Sequence, residues 1–395
     1  MLHGASIVCL GSIDWAFNWH IPQEVASAFA DGGNRVLYVE NTGVRRATLG
    51  DAPRLWERLR NWHRAAGGVK PVGNGVDVLA PVLLPFPYSR VAGIINAHVL
   101  LRAIRRWLQD AGERPPTVIT FLPTPLARAV IRGLAPSQVV YYCIDRLAES
   151  SPAARKLRHS ESSMFAEADL VLVTAHGLLS PATRLASRVE LLPAGVRCAA
   201  FERARGEQAQ PPRVFDGLSG PVVGFVGSLR AATDLELLTR AARLAPDLNF
   251  VFVGPLLTNV QRLAACPNVR LVGAVSHAEV VRHVVRFDVG ILPYVFNSFT
   301  ADVMPMKLKE YLAAGLPVVA TPLPEIRRFA DEHPEVVAFA TDAPSLVAAL
   351  RDALASNGVA AAARRIAVAA RYDWTEQMAR MSDLMESALA ARMPR

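Results

Sequence analysis

Short, continuously apolar runs alternate with amphipathic stretches along the whole chain. The first half shows SIVCLGS, RVLYVEN, VDVLAPVLLP, TVITFLP, VVYYCID, LVLVTA and VELLPAG; the second shows PVVGFVG, NFVFVGP, VRLVG, VGILPY, PVVAT and EVVAFA. These runs do not alternate polar with apolar, as expected of strands buried on both faces of a parallel sheet. The stretches between them, such as PQEVASAFADGG, have helical periodicity, with Pro22 near the start and Gly32-Gly33 past the end. Repeated β-α units predict a doubly wound α/β fold. Thirteen such runs exceed one sheet of ordinary size, so two Rossmann-like domains with parallel sheets are expected, facing across a cleft.

The break falls at residues 198–220, CAAFERARGEQAQPPRVFDGLSG. This segment is polar, holds Pro211-Pro212 and lacks apolar periodicity, so it reads as a connection. The expected domains are 1–197 and 221–373, joined by 198–220, with a final helix over 374–395.

Composition narrows the class. Of 395 residues, 51% are hydrophobic and 20% charged, enough for two cores and too apolar for a disordered chain. No run reaches the ~18–20 apolar residues a membrane span needs; the stretch Val91 to Leu101 is interrupted by Asn96 and His98. MLHGASIVCLG has neither a basic leader nor a long apolar region, so no signal peptide is expected. Cys9, Cys143, Cys198 and Cys266 are far apart and show no metal-ligand or redox spacing, which fits a reducing cytoplasm. The net charge of +8 is uneven: residues 1–200 hold 22 Lys/Arg against 15 Asp/Glu, the remainder 21 against 20. A basic first half favours anionic partners. No nucleic-acid recognition motif accompanies it.

The stretch MPMKLKEYLAAGLPVVATPLPEI, Met304 to Ile326, concentrates the candidate chemistry. Pro305 suits the start of a helix, Leu308, Tyr311 and Leu312 form its buried stripe, Gly315 can take the left-handed cap, and Pro317 blocks continuation. The helix follows the run VGILPY, so its N-terminus lies at the carboxyl edge of a sheet, where α/β folds bind ligands and where helix amides attract phosphate. Lys307 adds charge there; Glu310, one turn on, suits a ribose diol, and Asp302 suits sugar hydroxyls. The same residues would also serve a surface helix with a Lys-Glu pair and an Asp cap.

In the first half, CLGSIDWAFNWHIPQEVA places Asp14, Trp15, Asn18, Trp19 and His20 in the loop after the first strand. The G-x-G-x-x-G spacing of a dinucleotide site is absent. Two tryptophans among polar residues suit a sugar or lipid-phosphate acceptor; Trp19 as a staple at the helix entry is the alternative. Asp145 ends another strand, where a carboxylate would face the cleft or cap the following helix. Residues 54–70, RLWERLRNWHRAAGGVK, put Leu55, Leu59 and Trp62 on one helical face, with Trp56, Arg54, Arg58 and Arg64 elsewhere. That pattern fits either an interfacial helix on anionic lipid or a helix packed on its own domain.

Asp302, seven residues, Glu310 and then YLAAGLPVVATPLPEI resembles the core motif of the group-1 glycosyltransferases, the retaining family 4 of the GT-B fold. GFVGSL, FVFVGP, CPNVRLVG, Phe287-Asp288-Val289 and ILPY follow that family's order, while YYCIDRL, EADLVLVTAHGLL and LLPAGV match more loosely. The resemblance implies that the second domain binds a nucleotide-sugar donor, the first a glycan or lipid-linked acceptor, and that the last helix crosses back to the first domain. It implies transfer with retention, no metal and no cofactor, and a residue close to the transferring sugar in the loop after VVYYCID, which makes Asp145 the candidate to assist acceptor deprotonation or stabilise charge on the sugar, with His176 a weaker one. The family's Gly-Arg pair and later Lys for the diphosphate are here Gly227-Ser228 and about Thr233; Arg230 and Lys307 are the candidates to replace them. The expectation is a cytoplasmic glycosyltransferase of surface polysaccharide or glycoconjugate assembly, at the inner face of the membrane if residues 54–64 bind it. A nucleotide-sugar epimerase and an inactive sugar-nucleotide-binding partner are the alternatives.

Overall fold

The structure is a computed structural model and describes residues 2–16, 19–40, 68–73, 75–110, 115–149, 154–207 and 210–392. The chain divides into two compact units: residues 1–193 with 377–395, and residues 194–376.

The first unit is built on eight strands: β1 Ser6–Leu10, β2 Arg35–Val39, β3 Val69–Gly73, β4 Val76–Leu79, β5 Thr117–Thr120, β6 Gln138–Cys143, β7 Leu170–Val173 and β8 Val189–Leu191. Their order is β3-β4-β2-β1-β5-β6-β7-β8. All neighbours pair in parallel except β3 and β4. The sheet is therefore mixed at one edge, where wholly parallel pairing was expected. VKPVG shows no continuous apolar run: Lys70 and Pro71 interrupt it, it is exposed beyond its first residue, and Pro71 is tolerated only at an edge because it cannot donate to a ladder.

The second unit holds six parallel strands: β9 Val222–Val226, β10 Asn249–Val253, β11 Val269–Gly273, β12 Val289–Leu292, β13 Val318–Ala320 and β14 Val337–Phe339. The order β11-β10-β9-β12-β13-β14 is doubly wound, with its reversal between β9 and β12. Alternate residues feed two cores. Val222, Val226, Val251 and Val253 join one; Val223, Phe225, Phe250 and Phe252 join the other. Burial on both faces explains why these strands read as unbroken apolar runs.

Residues 198–220 lie within the second unit: Cys198–Gly206 is a helix that buries Phe201, and Arg213–Phe215 is a 3-10 turn. The chain enters and leaves this unit along two segments that pair with each other. The Val196 N–H donates to Tyr372 O (2.9 Å), Trp374 N–H to Val196 O (3.1 Å), and Cys198 N–H to the Asp373 carboxylate (3.1 Å). Gly195 makes this possible, since a Cβ there would come 2.6 Å from the Trp374 ring. The helix Trp374–Arg392 then returns to the first unit, where the Gln138 amide donates to Met385 O (2.7 Å) and Met381 and Met385 are fully buried.

Candidate functional site

The carboxyl end of β9 is shaped by two glycines. Gly227 has φ +138° and Gly254 φ +143°, a region that side chains rarely enter. A Cβ on Gly254 would come 2.3 Å from Gly227 O, so the two turns stack with no room for a side chain. The space above Gly227 is taken by Lys307, whose Cε lies 2.9 Å from where a Cβ would stand.

Lys307 is held there by its helix, Met306–Ala313, with Pro305 as the preceding cap residue. Leu308, Tyr311 and Leu312 are fully buried, as their spacing predicts. Gly290 on β12 leaves room for the Tyr311 ring, which a Cβ would meet at 2.4 Å. The Tyr311 hydroxyl accepts from the Val226 N–H of β9 at 2.8 Å. At the far end Gly315 (φ +80°) closes a Schellman pair: Gly315 N–H donates to Leu312 O and Leu316 N–H to Tyr311 O, each at 2.9 Å. The helix N-terminus is thus pinned at the strand-order reversal, and both Lys307 and Glu310 are half-buried.

Ser228 and Arg230 lie in the loop after β9. Thr233 N–H donates to Arg230 O at 2.8 Å, and Thr233, at the position where the resemblance has Lys, is buried in that turn. Arg230 is exposed, with its guanidinium 5.8 Å from the centre of the Phe299 ring. Phe299 belongs to a self-bonded loop: Asn297 Oδ1 accepts from Phe299 N–H and Thr300 N–H (2.9 Å each), and the Thr300 hydroxyl donates to Val295 O (2.6 Å). The loop ends in the 3-10 turn Thr300–Asp302, against which the helix Pro324–Glu332 packs. A groove of about 570 Å³ opens beside that helix, lined by Tyr294, Phe296, Thr321, Leu323, Arg327 and Arg328 among others. Gly227, Lys307, Arg230 and Asp302 therefore surround one carboxyl edge. Tyr294 belongs to the run VGILPY and Thr321 to Pro324 to the Met304–Ile326 stretch, whereas Arg327, Arg328 and Asp331 lie just beyond it.

Lys309 is the residue that sequence reasoning missed. It is 1% exposed, donates from Nζ to Ala194 O at 2.6 Å, and stacks 4.4 Å over the Tyr372 ring. Tyr372 in turn bonds His333 Nε2 at 2.9 Å. One helix thus presents Lys307 and Glu310 in half-buried positions and plants Lys309 between the paired entry and exit segments. Burial pushes the Lys309 ammonium down to about 7.

In the first unit, the loop after β1 is bound up in its own structure. Trp15 packs edge-on against Trp19 (5.5 Å) and Tyr38 (5.0 Å), and its N–H donates to the Glu40 carboxylate (3.0 Å). The Trp19 indole donates to Glu24 (2.6 Å), and the His20 N–H to the Gln23 side chain (3.2 Å), which also reaches the carbonyls of Asp14 and Trp15. These contacts match a helix-entry role for Trp19 and His20. Asn18 and the whole 54–64 stretch, with Trp56 and Trp62, lie outside the described residues.

Asp145 sits half-buried just beyond β6, and His176 opens a 3-10 turn beyond β7. The following loop is braced from below by Glu161, buried on the helix Arg158–Glu167, which takes backbone hydrogen bonds from Leu147 and Ala148 and a 3.5 Å contact from the Tyr141 hydroxyl. Burial raises Glu161 to about 7 against those hydrogen bonds. Among the described residues, no group of three His, Cys, Asp or Glu is arranged to hold a metal ion.

Two Rossmann-like sheets, the second doubly wound with its candidate residues at the reversal, define an α/β protein of the GT-B class. Residues 220–356, all within the second unit, match the family model described as glycosyl transferases group 1. Across a wider span the chain is 30% identical, over 258 residues, to TuaH of Bacillus subtilis (strain 168), a protein assigned to teichuronic acid biosynthesis as a glycosyltransferase. That alignment takes in 60% of this chain and 64% of the relative's length. In fold the chain is similar to sucrose-phosphate synthase from Thermosynechococcus elongatus, with a TM-score of 0.70 at 18% identity, covering 98% of this chain and 100% of that one. It is also similar to Anabaena HepE in complex with UDP and glucose, with a TM-score of 0.66 at 14% identity, covering 96% and 99%.

Proposed function

We propose that this chain is a glycosyltransferase that moves a sugar from a nucleoside-diphosphate donor to a glycan or lipid-linked acceptor in surface polysaccharide or glycoconjugate assembly. The observation that carries the reading is the laying of Lys307 over Gly227 at the amino end of a helix, at the strand-order reversal of the unit that matches the group 1 glycosyl transferase model. A diphosphate there meets helix amides, the Lys307 ammonium and, from the β9 loop, the Arg230 guanidinium. Glu310 accepts from the ribose diol, and Asp302 accepts from hydroxyls of the transferring sugar. The groove with Tyr294, Phe296 and Arg327 offers aromatic faces and a cation to a saccharide ring.

The reading includes retention. The bond from the anomeric carbon to the diphosphate oxygen breaks while the acceptor oxygen bonds the same carbon from the same face. The acceptor proton passes to the departing diphosphate, and Asp145 assists on the acceptor side. Charge developing on the diphosphate is met by fixed cations and amides, so positioning and electrostatics supply most of the rate and no metal is required. The complex of HepE with UDP and glucose makes UDP-sugars the first donors to try. The chain would work at the cytoplasmic side of the membrane, where such donors are made.

Thermal-shift titration with nucleotide sugars, followed by product analysis with and without acceptor, tests this. The cognate donor should raise the melting temperature with dose, and turnover should need acceptor or yield slow hydrolysis. Donor conversion without acceptor into a second nucleotide sugar would mean an epimerase. The burial of Thr233 at the family's Lys position favours one other reading, a sugar-nucleotide-binding partner without catalysis; nucleotide binding with neither transfer nor hydrolysis would establish it.

A further inference from the structure

The first unit exposes an apolar surface that its fold does not use. On the helix Arg90–Gln109 the buried face is Ala92, Asn96, Leu100, Ile104 and Trp107. The opposite face carries Val91, Ile94, Ile95 and Val99; Val91 is 68% exposed and Ile94 72%. The preceding loop adds Leu84 and Phe86, both exposed, with Tyr88 at their side. The loop is held in this posture from beneath. Buried Asn96 accepts from the Leu84 N–H at 2.8 Å and donates to Leu84 O at 3.1 Å, which turns the Leu84 side chain outward. Several large apolar side chains exposed on one helical face and in the loop before it mark an interaction site.

The charge on this helix is of one sign. The twenty residues of the helix include no Asp or Glu. Arg102 and Arg106 continue the exposed face beyond Val99, Arg90 begins it, and Lys156 brings its ammonium to 5.1 Å above the Tyr88 ring. Apolar side chains at one end of a helical face, an aromatic pair beside them and arginines at the other end match a surface that lies in a bilayer interface. A second copy of the chain would bring like charges together here, whereas anionic headgroups complement them.

We propose that Leu84, Phe86, Val91, Ile94, Ile95 and Val99 enter the interface of an anionic lipid bilayer, with Arg90, Arg102 and Lys156 among the headgroups. None of these residues belongs to the 54–64 stretch. Binding there does not depend on the glycosyltransferase reading, because it is assayed without donor or acceptor.

Co-sedimentation of the full chain with phosphatidylcholine vesicles, with and without phosphatidylglycerol, tests it. The chain should bind the anionic vesicles at low salt and bind less as salt rises. Ile94→Glu and Phe86→Ser should each weaken binding about tenfold or more, and Arg102→Glu should remove most of the preference for anionic lipid. Because these side chains face solvent, the unfolding midpoints should stay at the wild-type value, so lost binding is not lost folding. Absence of binding at low salt, equal binding to neutral vesicles, or unchanged binding by Ile94→Glu would each overturn the proposal. So would a dimer in solution that Ile94→Glu dissociates while vesicles leave the chain in the supernatant.

Discussion

The Lys307 side chain occupies the place that a side chain on Gly227 would need, with only 2.9 Å between Lys307 Cε and the missing Cβ. Gly227→Ala therefore does two things. It forces a non-glycine residue to φ +138°, at a cost of roughly 1–3 kcal/mol, and it displaces the ammonium. Urea unfolding should show the stability loss, and calorimetric titration should show nucleoside-diphosphate affinity falling about tenfold, a loss near 1.4 kcal/mol.

The cations and the carboxylate should separate by ligand. Lys307→Ala and Arg230→Ala are expected to weaken a nucleoside diphosphate severalfold each while changing nucleoside affinity little. Glu310→Gln should weaken nucleoside and nucleoside diphosphate alike, by the roughly 1.5–3 kcal/mol of a hydrogen bond to a charged group. Fluorescence or calorimetric titration of the three variants reads this pattern, and unchanged diphosphate binding in both cation variants would remove the proposed anion site.

Tyr311→Phe keeps the ring over Gly290 but strands the Val226 N–H in the core. A buried donor without its acceptor costs about 1–3 kcal/mol. The variant should fold, lose that much in urea unfolding, and weaken donor binding through the looser helix.

Lys309 makes stability depend on alkaline pH. Its pKa is about 7 when folded and the usual 10.5 when unfolded, with burial as the cause. Between these values the unfolded chain binds more protons, so stability rises with pH, at most about 1.4 kcal/mol per unit. Below about 7 both states are protonated and the folded one bears the full cost of the buried ammonium. Lys309→Met keeps the stem and should abolish the rise, as urea midpoints between pH 7 and 10 would show.

Glu161 works in the opposite sense at acid pH. Burial raises it to about 7 from the usual 4.5. In that window the folded chain holds a proton the unfolded chain has lost, so stability falls as pH climbs from about 4.5 to 7. Glu161→Gln should flatten this fall, and a midpoint series in which wild type and variant run parallel would contradict it.

Thirteen of the fourteen strands among the described residues were legible as apolar runs, because strands covered on both faces leave few polar positions. The exception, β3, is an exposed edge that no apolar pattern marks. The Met306–Ala313 helix was legible down to its stripe and its Gly315 cap, since both obey local rules. Lys309 was not: nothing near it in sequence announces that its amine meets a carbonyl 115 positions away. The burial of Thr233 likewise depends on a turn closed against β12 through Tyr294. The helix Cys198–Gly206 was hidden because a single residue, Phe201, anchors it.

The return of the last helix to the first unit has a consequence for synthesis. Leu2 donates its N–H to the Ser382 hydroxyl at 2.5 Å, and Gln138 waits for the carbonyl of Met385. On a ribosome the intervening domain is finished and can close before those partners emerge. The amino-terminal unit must therefore pass that interval with its docking site for the helix bare, which is when a chaperone would be needed and when a premature stop codon would leave aggregation-prone product.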